Sequence, residues 1–188
     1  MIIITLSGVI FLVILNFSVI TNIYGQEDNN NTTQKKTFYF EVEIPDDWIY
    51  RKFSNAYATG LLGFGPSNSL VAIPVEYWGS NTSYAVAQFR QDAYYEVKNA
   101  PLDIYVKYKL AEQNAMKVIT QKDINLANET SRQIYAEGIG KFEGFKFLEY
   151  YAFHNKEPYI IAYYASNNVY EKYLPDFEKM VNSFKWIN

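Results

Sequence analysis

The sequence predicts an α+β domain in which a central antiparallel sheet is covered by helices on both faces, an α/β/α sandwich. Three observations carry this expectation. A late aromatic hairpin is apolar on both faces, helical stripes lie before and after it, and the 188 residues include 18 Tyr, 13 Phe and 3 Trp. Rings of that number suit strands and large buried surfaces. A half-exposed sheet would alternate apolar with polar residues, whereas a sheet apolar on both sides asks for a covering layer on each.

The first strand is expected from Thr37, where Phe38, Phe40, Val42 and Ile44 alternate with Tyr39, Glu41 and Glu43. Pro45, Asp46 and Asp47 supply a turn, and Trp48 to Phe53 re-enters a strand to complete a hairpin. Gly60 to Ser69 reads as a loop. Leu70 to Tyr77 is a short strand that Pro74 assigns to an edge. The stretch from Tyr84 to Val97 fits neither period cleanly.

Asn99 and Pro101 open a helix, the one as cap and the other in the first turn. Its stripe is Ile104, Tyr108, Ala111, Ala115 and Val118. Arg132 to Glu137 reads as a strand, and Gly138, Gly140 and Gly144 lead into the hairpin. Phe145, Phe147, Tyr151 and Phe153 lie on one face of it and Leu148, Tyr150 and Ala152 on the other. Its turn is expected at His154 to Glu157. Val169 to Leu174 then forms a kinked turn before Pro175, and Phe177, Met180, Val181 and Phe184 follow the helical i, i+3, i+4, i+7 rule.

Residues 1–25 carry no charged side chain, and Ile2 to Ile20 are apolar apart from Thr5, Ser7, Asn16 and Ser18. The run is expected to be a secretory signal peptide cut after Gly25 or an uncleaved N-terminal membrane anchor, since about 20 apolar residues span a bilayer. Either way residues 37–188 form an extracytoplasmic domain, secreted or on the cell surface. Membrane contact then runs only through the N-terminal segment if it is uncleaved. Residues 26–36 are polar throughout and read as a disordered linker. Asn-x-Ser/Thr sequons at Asn30, Asn31, Asn81 and Asn128 are possible N-glycosylation sites on exposed loops.

A formal charge of −3 and the absence of cysteine narrow the function. No basic footprint for nucleic acid is present, and disulfides, thiolate metal sites, cysteine nucleophiles and a lipid-bearing cysteine are excluded. His154 is the single histidine. It is expected as a solvated turn residue, with a hydrolase built on it as the remote alternative, because no Gly-x-Ser-x-Gly elbow accompanies it. Glu43, Asp46 and Asp47 could offer oxygen ligands to Ca2+ or another divalent cation, although such residues more often only shape a turn. Leu61, Leu62 and Phe64, beside Gly63 and Gly65, are candidate partner contacts at an apolar loop tip. Glu171, Asp176 and Glu178 form a second acidic set, with Asp176 placed to complement the helix dipole.

The segment IPDDW (Ile44 to Trp48) after an N-terminal strand, the aromatic hairpin, and the terminal YEKYLPDFEKMVNSFKW (Tyr170 to Trp186) together resemble the PsbP family. The likeness runs from about Thr37 to Trp186 and is sharp over Phe145 to Trp186. It implies the fold shared with Mog-type Ran-binding factors. It also implies a non-catalytic extracytoplasmic accessory protein that docks on a membrane or cell-envelope complex, in some members with calcium, manganese or zinc. Fold does not carry function, so an exported small-molecule or metal-binding module stands as the alternative.

Overall fold

The computed structural model describes residues 39–53, 69–77, 85–92, 100–113 and 115–187. Leu61, Leu62, Phe64, Asn30, Asn31 and Asn81, together with the apolar N-terminal run and the linker, lie outside them. Among the described residues the chain is an α+β fold, mostly antiparallel sheet with two α-helices. In chain order these are β1 (Phe40–Glu41), β2 (Trp48–Phe53), β3 (Ser69–Pro74), β4 (Ala85–Gln91), α1 (Leu102–Glu112), β5 (Met116–Leu126), β6 (Glu129–Gly138), β7 (Phe145–His154), β8 (Glu157–Ser166), α2 (Asn167–Ser183) and β9 (Lys185–Trp186). Seven strands form one sheet in the order β2-β3-β4-β8-β7-β6-β5, and β1 pairs with β9 in a separate two-stranded clip.

The expected N-terminal hairpin does not form. Phe40 pairs with Trp186 and Glu41 with Lys185, while Trp48 to Phe53 pairs with Ser69 to Pro74. Alternation specifies which side chains face the core but not which strand is the neighbour, and the Phe40 ring is drawn to Phe184, 5.5 Å away between centroids. Pro74 ends β3 but does not put it at the sheet edge, because the ladder to β4 stops at Ala72 and Pro74 lies beyond it. The unassigned stretch after Tyr84 supplies β4, an interior strand hydrogen-bonded to both β3 and β8.

Helix α1 is shorter than its stripe suggested. It buries Tyr105, Val106 and Lys109, whereas Ile104 is 54% exposed. Val118 belongs to β5, where Val118, Ile119 and Thr120 are β-branched and prefer an extended backbone. A two-residue turn, Ala127 and Asn128, both with positive φ, returns β5 into β6. The β7–β8 hairpin forms as the aromatic pattern required, but with a tighter loop. His154 pairs with Glu157 as the last rung, and Asn155 and Lys156 alone make the turn at φ 51° and 66°, as primed hairpin turns demand.

Helix α2 runs unbroken through Pro175. The expected kinked turn is absent because the apolar residues on both sides of the proline dock into a single core. Val169, Tyr170 and Tyr173 precede it, Phe177 and Met180 follow, and all five are buried. Their packing outweighs the roughly 3 kcal/mol that an interior proline costs a helix.

Successive residues of a strand point to opposite sides, and β8 divides its side chains accordingly. Tyr159, Ile161, Tyr163 and Ala165 join the cluster that holds the α2 side chains. Ile160 and Ala162 join Tyr105 and Val106 of α1.

Candidate functional site

The α1 cluster is not purely apolar. In β4, Gln88 and Arg90 share the parity that faces α1, and Asp92 follows them at the strand end. Across the ladder, Gln88 lies opposite Ala162, and Ala162 opposite Glu149. The small Ala162 leaves room between two polar side chains that are each largely buried, Gln88 at 6% and Glu149 at 4% exposed.

Helix α1 completes the arrangement from above. Asp92 accepts a hydrogen bond from the Tyr105 hydroxyl at 2.7 Å, an ion pair from Lys109 Nζ at 3.0 Å and a longer one from Arg90 Nη1 at 3.5 Å. Lys109 also reaches Glu112 at 3.4 Å. The Tyr151 hydroxyl donates to Glu149 and accepts from Gln113 Nε2 at 3.3 Å. The Tyr164 hydroxyl donates to Gln88 at 2.9 Å. Among the described residues Arg90 Nε and Gln113 Oε1 are buried and meet no hydrogen-bond partner. Opposite charges thus sit side by side out of water, where each depends on its partner.

Burial pushes the Glu149 carboxyl above its ordinary value of 4.5, against the pull of the Tyr151 hydroxyl and of Arg90. Burial also holds the Tyr151 and Tyr105 hydroxyls well above the usual tyrosine value, with the neighbouring carboxylates adding to the rise. Both phenols therefore stay protonated and serve as donors. For Glu149 the native state keeps its proton to higher pH than the unfolded chain does. The stability linked to it is complete below 4.5 and is lost as pH rises through the elevated folded value. Glu149→Gln is expected to flatten that decline while keeping the acceptor for Tyr151. In urea titrations between about pH 4 and 8, the variant should gain steadily on the parent as pH rises. Parallel curves would show that Glu149 ionises freely.

His154 is packed, not solvated as its turn position suggested. It is 7% exposed because it ends β7 and lies beneath the clip strand, its ring stacked on Trp186 at 4.4 Å and 2°. Its Nε2 lies 3.1 Å from Asn155 Nδ2 and its Nδ1 3.2 Å from Glu129 Oε1. Both nitrogens and one ring face are engaged by the protein itself.

Glu43, Asp46 and Asp47 are exposed. The Glu43 N–H donates to Ser183 Oγ at 2.9 Å, and the Asp47 carbonyl accepts from the Val75 N–H at 2.8 Å. Among the described residues no group of three or more His, Asp or Glu could hold a metal ion. Asn128 stands exposed in the β5–β6 turn, where its N–H donates to Asn125 Oδ1 at 3.0 Å. Of the second acidic set, Glu171 pairs with Lys146 and Asp176 with Lys179. Glu178 lines a cleft of about 450 Å³ between the end of the β5–β6 hairpin and the C-terminal half of α2.

Sequence reasoning missed the buried charges. Gln88, Arg90 and Asp92 alternate with Ala87, Phe89 and Gln91, which reads as a strand with one wet face. Only the placement of α1 over that face makes it a buried network. One signal was available, since Glu149 is the lone polar residue between Phe147 and Phe153, where all the others are aromatic or aliphatic.

These features define an α+β domain built on one antiparallel sheet, with a charged network enclosed beneath one helix. No family model matches the chain, and no curated protein matches it. Solved structures similar to it include cyanobacterial PsbP (CyanoP) from Synechocystis sp. PCC 6803, at 10% identity and a TM-score of 0.49 over 79% of this chain and 87% of that one. LpqN of Mycobacterium tuberculosis, described as involved in cell envelope biogenesis, is 6% identical at a TM-score of 0.49, over 79% and 83%. The protein of unknown function PA94 from Pseudomonas aeruginosa is 16% identical at 0.46, over 73% and 85%. At TM-scores below 0.5 these are likenesses of backbone path and say nothing of ligand or partner.

Proposed function

We propose that residues 37–188 act outside the cytoplasmic membrane as a non-catalytic accessory domain that docks on a membrane or cell-envelope complex. The reading includes a three-layer α/β/α architecture, supported by the parity with which β8 shares its side chains between the α1 and α2 clusters. Export is supported by the uncharged apolar run of residues 1–25. Among the described residues no helix is long and apolar enough to cross a membrane.

The observation that carries docking is the outer edge of β5. This strand ends the sheet on one side, runs for 11 residues and is exposed along most of its length. Val118, Ile119 and Ile139, at 39%, 43% and 45% exposure, gather aliphatic surface at one end of the β5–β6 ladder. An edge of this kind can take an extended segment of a partner through main-chain hydrogen bonds. Lys117 and Lys122, with the irregularity between Val118 and Thr120, discourage indiscriminate pairing of the same edge.

Placing a photoreactive residue at Ile119, and separately at Lys52 on the opposite edge strand, tests this in intact membranes. The expected result is one dominant crosslinked product from position 119 and none of that size from position 52. Equal labelling from both positions, or none from 119, would overturn docking through β5.

A further inference from the structure

We propose that the cleft between the β5–β6 hairpin and α2 binds a neutral sugar of one or two rings. The site does not depend on docking through β5. Its volume of about 450 Å³ is in the range of small-ligand sites, and its walls combine two kinds of surface. Half-buried Ile124, Ala127 and Val181 supply an apolar floor above the buried Leu126 and Phe184, while Gln133, Tyr150, Glu178 and Asn182 bring polar groups to it.

Tyr150 is the best-defined of these groups. It is 5% exposed because its ring packs on Phe177, 6.0 Å away between centroids, yet it lines the cleft beside Gln133. Its hydroxyl oxygen accepts from Gln133 Nε2 at 2.8 Å. Among the described residues its own proton meets no acceptor, so a buried donor is presented to whatever occupies the space. Burial raises its pKa, with the Glu178 charge adding to the rise, so the proton stays in place at neutral pH.

The donor set selects the ligand class. An amide at Gln133 and another at Asn182 both donate and accept, Glu178 accepts and Tyr150 donates. A hydroxyl likewise does both, and several hydroxyls on one rigid ring can meet several such groups together. The C–H face of a pyranose suits the apolar floor. Anionic ligands are disfavoured because no Lys or Arg among the described residues lines the cleft and Glu178 would oppose a second negative charge. A zwitterionic amino acid would meet the same difficulty at its carboxylate.

Calorimetric titration of the intact domain with glucose, maltose, N-acetylglucosamine and maltoheptaose, and with glucuronate as the charged comparison, tests the proposal. At least one neutral sugar is expected to bind saturably at one site, with glucuronate weaker. Maltoheptaose no tighter than maltose points to a free sugar, and a clear gain with chain length to a glycan chain. Tyr150→Phe keeps the packed ring and removes the donor, and Asn182→Ala alters an exposed helix position. Each should weaken binding about tenfold, while Lys52→Ala on β2 should not. Absence of saturable binding to every neutral sugar, or equal binding by parent, Tyr150→Phe and Asn182→Ala, overturns the assignment.

Discussion

Asp92→Ala is expected to destabilise the domain by about 3–5 kcal/mol, the cost of stripping one partner from a buried ion pair. Asp92 is 5% exposed and Lys109 7%. The substitution leaves the ammonium enclosed without the carboxylate 3.0 Å away, and leaves the Tyr105 hydroxyl without its acceptor. Reversible urea unfolding, followed by far-ultraviolet circular dichroism, should show the midpoint fall at an unchanged slope. Asp92→Asn keeps an oxygen for Tyr105 and should lose less. Adding Lys109→Met to Asp92→Ala should recover part of the loss, since it removes one of the two cations, Lys109 and Arg90, that face Asp92. A loss below about 1 kcal/mol for Asp92→Ala would mean that water reaches the pair and that the network is not enclosed.

Phe177→Ala should cost a similar amount, about 3–5 kcal/mol, by a different route. Phe177 is fully buried and lies at the meeting point of helix and sheet. Its ring centroid is 5.1 Å from that of Tyr163, 6.0 Å from Tyr150 and 6.3 Å from Phe89. Three strands, β4, β7 and β8, thus lose their shared contact when the ring goes, and rings fixed on paired strands cannot collapse into the space. Phe177→Leu should cost less because more of the volume is kept. The half-buried Leu174 provides the internal comparison, since Leu174→Ala on the same helix should cost clearly less. Equal losses at the two positions would place the helix–sheet contact elsewhere.

The two substitutions separate what could be read in advance from what could not. Phe177 and Met180 were legible as one helical stripe after Pro175, and both are fully buried on α2. Asp92 was not legible. It falls in a stretch whose period was ambiguous, and its partners Tyr105 and Lys109 come from a helix whose buried face was misjudged. The expected α1 stripe counted apolar residues alone, but Lys109 is on the buried face because a carboxylate waits beneath it. Apolar periodicity cannot anticipate such a position, since a lysine is buried only where a distant residue compensates its charge.

The cleft divides in the same way. Alternation alone puts Tyr150 on the hairpin face that includes Leu148 and Ala152, and the sequence puts Glu178 among the acidic residues near the last helix. That they line one space with Gln133 follows from β6 lying beside β7 and from α2 crossing above.

Local chemistry by itself determined the β7–β8 hairpin, the apolar faces of its first strand and the apolar stripe of α2. Alternation and helical periodicity are properties of neighbouring residues, so they survive in any fold that buries them. Tertiary structure alone decided that β1 pairs with β9 and not with β2, that Val118 belongs to a strand and not to the helix, and that Arg90, Asp92, Lys109 and Glu149 meet out of water. Each of these depends on residues far apart in the chain. Their pairing energies exist only once the intervening segments have folded around them.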